Sequence, residues 1–311
     1  GPTLMGRQAA GESFLRGFLK HGPAGHLWVE VERQEHAATF RDAARALGRQ
    51  DPVHMVETHA PAGLAEVGAL YLPGPELARA AWKRQTAGGM AWSLCGVTHT
   101  TASAAAMDAI TECLSAPVQP WDALICTSNA VRANVEGLLE SQQAYLSERL
   151  GATRFPRPML PVIPLGIHTA DFAHDASTRA RSRGELGLGP DDVAVLYVGR
   201  LSFHAKAHPL AMYQALEQAA TQQPGRRITL VECGWFANDA LRQAFDEAAT
   251  AACPGVRRVV LDGRDAAART RAWAAADLFC SLSDNIQETF GLAPVEAMAA
   301  GLPVVVSDWD G

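Results

Sequence analysis

The chain has 311 residues, 48% of them hydrophobic and 19% charged, with 27 Lys and Arg against 33 Asp and Glu for a formal net charge of −6. That length suits two domains of roughly 100–200 residues or one large barrel, and the apolar content excludes a disordered chain, because there is surface enough to bury against the entropy of ordering the backbone. The acidic balance excludes non-specific nucleic-acid binding, which needs a dense basic face to displace counterions, so any bound phosphate must be held locally.

Gly1-Pro2-Thr3-Leu4-Met5-Gly6-Arg7 leads straight into a helical pattern from Ala9 to Leu19, with no buried strand ahead of it. Short apolar runs then alternate with longer helical patterns, the signature of βαβ units and a parallel sheet. Strands are expected at 26–31, 53–57, 70–72, 91–95, 123–127 and 161–164, and helices at 40–47, 76–84, 104–114 and 130–150. The polar stretch from Asp171 to Arg183 reads as a linker.

Beyond it the rhythm restarts, with strands at 193–198, 228–232, 259–261 and 278–281 and helices at 209–220, 239–250 and 266–275. A last buried strand, Leu302 to Ser307, is followed by only four residues. Two α/β domains result, 1–168 and an incomplete 187–311 joined by 169–186, each a doubly wound parallel sheet, and the chain is expected to be cut at both ends. A barrel would need eight regular units without the polar interruption. A ligand cleft is expected between the two open sheets, where carboxyl ends of strands from both domains meet.

The six cysteines, at 95, 113, 126, 233, 253 and 280, form no CxxC pair and sit mostly in apolar runs. Neither a zinc ribbon nor a disulfide framework is suggested, and a reducing, cytoplasmic setting is expected. No apolar run approaches the roughly 18 residues of a membrane span and no secretory leader is visible, which leaves peripheral membrane association open.

The chemistry concentrates late in the chain. Gly199-Arg200 closes a strand and Lys206 follows six positions on, so two cations can converge on an anion at the sheet's carboxyl edge. Alone, the pair fits a basic surface turn equally well. Glu288 and Glu296 then flank Thr289-Phe290-Gly291-Leu292 at a junction from loop to helix. Pro294 suits the first helical position, Glu296 the first turn and Gly301 the C-cap. The amides of Phe290, Gly291 and Leu292 can face an anion, and a carboxylate can accept both hydroxyls of a ribose. Either Glu alone would read as a dipole-compensating or solvated acid; both, with the glycine loop between them and the cations upstream, point to a bound nucleotide.

These motifs in this order, Gly199-Arg200-Leu201 with Lys206, then Glu288 to Leu292 and Glu296 through Gly301-Leu302-Pro303, resemble the donor half of the family 4 retaining glycosyltransferases with the GT-B fold. The resemblance is strong over about 190–311 and weaker before. It implies two Rossmann-like domains facing each other across a cleft, and transfer of a sugar from a nucleoside-diphosphate sugar, the co-substrate, to an acceptor hydroxyl with retention, with no metal and no other cofactor. Arg200, Lys206, Phe290, Gly291 and Leu292 would hold the diphosphate, Glu296 the ribose, and Glu288 the transferred sugar.

By the same resemblance the base would lie near the loops after Val231-Glu232-Cys233-Gly234 and Leu261-Asp262-Gly263-Arg264, Gly199, Gly234 and Asp262 are possible cleft residues, and His99, just after a strand, would stand near the reacting sugar. Without the resemblance His99 reads as a structural histidine. Gly6 and Arg7 could face the diphosphate or acceptor, Asp122 to Ser128 resembles a segment bearing a cleft-facing Ser/Thr pair, and His168 stands where the family commonly has Asp. The acceptor could be carbohydrate, lipid-linked sugar or small molecule. His204 and His208 could be a metal pair, but Pro209 follows and no acid is adjacent, so a polar loop is favoured. A nucleotide-sugar epimerase and an inactive nucleotide-sugar-binding module are the rival readings; a dehydrogenase is disfavoured because no GxGxxG follows an early strand.

Overall fold

The computed structural model describes residues 6–203, 206–284 and 288–308. It divides between Gly166 and Ile167 into two compact α/β units.

The first unit runs α1 (Gly6–His21), β1 (Leu27–Val31), α2 (Gln34–Ala46), β2 (Val53–Glu57), α3 (Leu64–Val67), β3 (Ala69–Tyr71), α4 (Leu77–Arg84), β4 (Ser93–Val97), α5 (Ala104–Thr111), β5 (Ala123–Ile125) and α6 (Asn129–Leu150). β1 pairs with β2, and β3, β4 and β5 form a second parallel set in that order. Leu77, Leu94, Ile110, Leu124, Val135 and Leu139 make its main core.

Among the departures from the sequence expectation, three have a direct physical cause. α2 begins at Gln34 rather than at residue 40, because its first turn, Gln34-Glu35-His36, is polar and carries no apolar period. β4 lies two residues later than expected because it includes Gly96, whose missing side chain lets the Gly74 carbonyl approach: a Cβ there would lie 2.7 Å from that oxygen. The strand expected at 161–164 survives only as isolated parallel bridges, Ala123 to Met159 and Cys126 to Val162. Met159 and Ile163 still donate to the Asp122 and Cys126 carbonyls, but Pro161 between them lacks the amide a continuous ladder needs.

The second unit runs α7 (Ala176–Glu185), β6 (Val193–Arg200), α8 (Leu210–Gln222), β7 (Ile228–Trp235), α9 (Asp239–Ala252), β8 (Arg257–Asp262), α10 (Ala266–Ala275), β9 (Leu278–Ser281), α11 (Leu292–Ala299) and β10 (Val304–Val306). The five strands are all parallel in the order β10-β9-β6-β7-β8. Side chains alternate along β6: Val195 and Tyr197 enter the core with Tyr213 and Phe245, while Ala194 and Leu196 enter the other with Trp273 and Phe279. Both faces are therefore covered, as a doubly wound sheet requires.

The expected linker contains a helix instead. Asp175 caps α7 by accepting from the Thr178 amide at 2.7 Å, and the helix is fastened to the sheet by charge. Asp277, just before β9, accepts from Arg183 Nη1 and the Ala194 amide, both at 2.8 Å, and from Arg179. The polarity read as solvent exposure is an ion-pair cluster with Arg183 only 11% exposed. Burial alone would raise the Asp277 pKa, but the Ala194 amide and the two arginines outweigh it and hold the carboxyl below its ordinary value. The unfolded chain thus binds this proton more tightly than the folded one. Stability from Asp277 is present above about pH 4 and is lost as pH falls through the lower folded value. Asp277→Asn is expected to lower stability at neutral pH and to flatten the acid limb of urea unfolding; an unchanged acid limb would contradict the assignment.

All six cysteines are unbridged. Among the described residues, no helix is long and apolar enough to cross a membrane.

Candidate functional site

In the second unit the chain lays β7 and then β8 on one side of β6 and returns to place β9 and β10 on the other. The segments leaving the carboxyl ends of β6 and β9 therefore diverge, and that switch point is where open parallel sheets bind ligands. Arg200 is the last residue of β6, with Lys206 on the loop beyond it. The segment after β9 carries Ser283, Asp284 and Glu288 and enters α11 at Leu292.

Lys206 Nζ donates to Glu288 Oε2 at 2.8 Å, with the two side chains 29% and 17% exposed. Ser283 Oγ donates to the same oxygen at 3.2 Å. The Asp284 carboxylate accepts the His208 amide at 3.2 Å, so the two loops are tied at a second point. Tyr197 is buried and donates its hydroxyl to the Arg200 carbonyl at 3.1 Å, which fixes the strand exit. Burial first, and the charges of Glu288 and Glu232 next, push that phenol well above its ordinary pKa. The Arg200 guanidinium makes no hydrogen bond or ion pair among the described residues and is available to an anion.

α11 starts at Leu292, and Gly291 before it has φ +79°, a left-handed conformation that glycine adopts without strain. The amides from Gly291 onward open the helix, as the motif suggested. The sequence places the rest of the helix two residues late. Pro294 is the third helical residue, tolerated because the first four amides have no intrahelical acceptor, and Gly301 lies just past the cap at φ +75°. Glu296 is therefore in the second turn, where a dipole-compensating role does not account for it. Burial raises its pKa, while Arg269 and Lys206 pull it down, so Glu296 stands in the field of the lysine that binds Glu288.

Gly234 is the last but one residue of β7, and its bareness is a packing necessity: a Cβ would lie 2.0 Å from the Gly199 carbonyl. Asp262 ends β8 and is paired with Arg264 at 2.8 Å. Arg269 donates to the Gly263 carbonyl at 2.7 Å. His208 is exposed, stacks on Phe203 with centroids 4.9 Å apart and accepts the Leu210 amide at 3.3 Å, a local helix-entry role. His204 lies outside the described residues. Among the described residues no three His, Cys, Asp or Glu side chains gather as metal ligands.

In the first unit His99 lies two residues past the end of β4 and is half-buried. Gly6 and Arg7 open α1, and their side chains fall outside the described part. The 122–128 segment serves structure at both ends: Ser128 caps α6 by accepting the Val131 amide at 3.2 Å, and Asp122 is fully buried against Arg84. Sequence reasoning missed Ser283, Tyr197 and Arg269. Tyr197 lies within an apolar strand and Arg269 within a helical pattern, so neither position points to a ligand, and only the proximity of Ser283 to Glu288 could have drawn attention to that serine.

Residues 192–311 match the family described as Glycosyl transferases group 1. The chain is 30% identical over 157 residues to the D-inositol 3-phosphate glycosyltransferase of Nocardia farcinica and 31% identical over 150 residues to that of Actinosynnema mirum. These stretches cover 50% and 47% of this chain and 34% of each relative, so the match spans about a third of the relatives' length. Among solved structures, Anabaena Alr3699/HepE in complex with UDP aligns over 100% of this chain and 79% of its own, with a TM-score of 0.64 at 17% identity. Its complex with UDP-glucose gives 0.60 at 18% over the same shares. OtsA gives 0.53 at 16%, over 79% of this chain and 60% of its own. At such identities the likeness is one of fold, two α/β units with parallel sheets as in GT-B glycosyltransferases.

Proposed function

We propose, from the match of residues 192–311 to the group 1 glycosyltransferases, that the protein transfers a sugar from a nucleoside-diphosphate sugar to an acceptor hydroxyl with retention at the anomeric carbon. The observation that carries this reading is the joining of Lys206 to Glu288 at 2.8 Å at the switch point, beside a helix whose second turn holds Glu296 in the same lysine's field. Two cations, a row of helix-opening amides and two carboxylates are the complement of a diphosphate, a ribose and a sugar.

In this mechanism the acceptor oxygen bonds to the anomeric carbon as the bond from that carbon to the diphosphate oxygen breaks. The acceptor proton passes to the departing phosphate on the same face. Arg200, Lys206 and the amides of Phe290, Gly291 and Leu292 stabilise the charge that grows on the diphosphate, so the reaction needs no metal ion. Glu288 holds the sugar hydroxyls and Glu296 the ribose. UDP-glucose, bound in a solved Anabaena structure, is the first donor to try, with UDP, bound in another, as the matching nucleotide.

Thermal-shift measurements with UDP-, GDP- and ADP-glucose, followed by nucleotide release with candidate acceptors, test the reading. Stabilisation by at least one donor and acceptor-dependent release are expected. No shift with any donor would overturn it; an epimerised donor, or binding without turnover, would favour the rivals. Because Glu296 must be ionised to accept two hydroxyls, nucleotide affinity is expected to fall as pH drops through its raised pKa, beginning above the ordinary carboxylate range. Glu296→Gln should bind more weakly at neutral pH and lose that dependence, as titration calorimetry from pH 7 downward would show.

A further inference from the structure

Glu288 has two carboxylate oxygens, and the structure uses them unequally. Oε2 accepts both the Lys206 ammonium at 2.8 Å and the Ser283 hydroxyl at 3.2 Å. Among the described residues Oε1 accepts no hydrogen bond. Two donors on one oxygen fix both its position and the rotation of the carboxylate plane, whereas the lysine alone, on a flexible stem, would fix neither.

Ser283 is itself held from the neighbouring strand. β9 and β10 pair in register from Phe279 with Val304 to Ser281 with Val306. Just beyond the paired residues, Ser307 Oγ donates to the Ser283 carbonyl at 2.6 Å. A short relay therefore runs from the end of β10 through Ser307 and Ser283 to Glu288. It reaches Glu288 from the sheet, opposite in origin to Lys206, which comes from the loop after β6. Ser283 is half-buried at 5 residues from Glu288 in sequence, so its hydroxyl is not a solvated bystander.

We infer that Ser283 is a positioning residue for sugar recognition. It keeps Oε2 of Glu288 with Lys206 and so presents Oε1 to the hydroxyls of the transferred sugar. This deepens the proposed function and rests on it. When a diphosphate draws on the Lys206 charge, the Ser283 bond keeps Glu288 in place, so the sugar contact survives donor binding. The nucleoside diphosphate, lacking the sugar, does not meet Oε1 and is indifferent to Ser283.

The test uses the whole chain, UDP, GDP and ADP as ligands, and the corresponding glucose esters as donors, with slow acceptor-free donor hydrolysis as the readout. For Ser283→Ala, kcat/KM for the responsive donor should fall about tenfold, the effect of a hydrogen bond to a charged group. The dissociation constant of the matching nucleoside diphosphate should stay within twofold of the parent. Ser283→Thr, which keeps the hydroxyl, should restore most of the rate, and Ser307→Ala should give a smaller loss of the same kind. Unchanged kcat/KM in Ser283→Ala, or a parallel loss of nucleoside-diphosphate affinity, would overturn the positioning role while leaving the proposed function standing. A parent protein that binds none of the three nucleoside diphosphates would overturn the proposed function and this assignment with it.

Discussion

Lys206→Ala is expected to lower the rate of sugar transfer by roughly 10²–10³, the range seen when one preorganised charge-stabilising group is removed from an active site. The lysine sits on the loop after β6 and is held at 2.8 Å from Glu288, only 29% exposed, so its charge is already oriented and partly desolvated before a ligand arrives. Negative charge on the diphosphate grows as the bond to the sugar breaks, so the loss should fall on kcat more than on donor binding. Lys206→Arg keeps the charge but changes a compact ammonium into a planar fork and should recover part of the rate. Transfer at the parental rate by Lys206→Ala would remove this lysine from the mechanism.

The second large effect lies far from that chemistry. Arg84 and Asp122 are both fully buried, joined through both carboxylate oxygens at 2.7 and 2.8 Å. Arg84 also donates to the carbonyls of Trp92 and Pro117, and Asp122 accepts the amides of Leu94 and Gln119, each at 2.8 Å. One pair thereby ties the end of α4 to the starts of β4 and β5. Asp122→Ala leaves a buried guanidinium without its counter-charge and two amides without acceptors, which should cost about 3–5 kcal/mol. For a unit of this size that is a loss of roughly 10 °C in Tm. Exchanging both residues for apolar ones should not recover it, since the pair also satisfies four backbone groups. A calorimetric Tm for Asp122→Ala within two or three degrees of the parent would show that the unit does not depend on this keystone.

Neither half of that keystone was visible in the sequence. Arg84 and Asp122 stand 38 positions apart, and nothing in an Arg at the end of one helical pattern and an Asp before one apolar run says that they meet. Asp122 instead drew notice as the start of a segment resembling a cleft wall. The same holds for α7, whose polar face looked like a linker because its partner, Asp277, lies more than 90 residues away. Local patterns report burial by apolar contact, and they are silent where burial is achieved by charge.

What the sequence did determine follows from period and chain geometry. Alternating apolar runs and helical patterns require parallel strands with crossovers, and that placed nearly every strand of the second unit, with 278–281 and the helix at 266–275 agreeing to the residue. The order Gly199-Arg200, Lys206, Glu288, Glu296 also singled out polar groups at or near the end of β6 and the start of α11, and such ends are where side chains can reach a ligand. Tertiary structure alone decided which of them touch. The strand order β10-β9-β6-β7-β8 brings the loop after β6 against the segment after β9 across 82 residues of sequence, and so joins Lys206 to Glu288. It also sets Ser307 behind Ser283, giving Glu288 a support that no spacing rule predicts. Strand neighbours are chosen by how whole faces bury against helices, a cooperative outcome of the entire unit, so pairings across the sheet are not written in any one stretch of the chain.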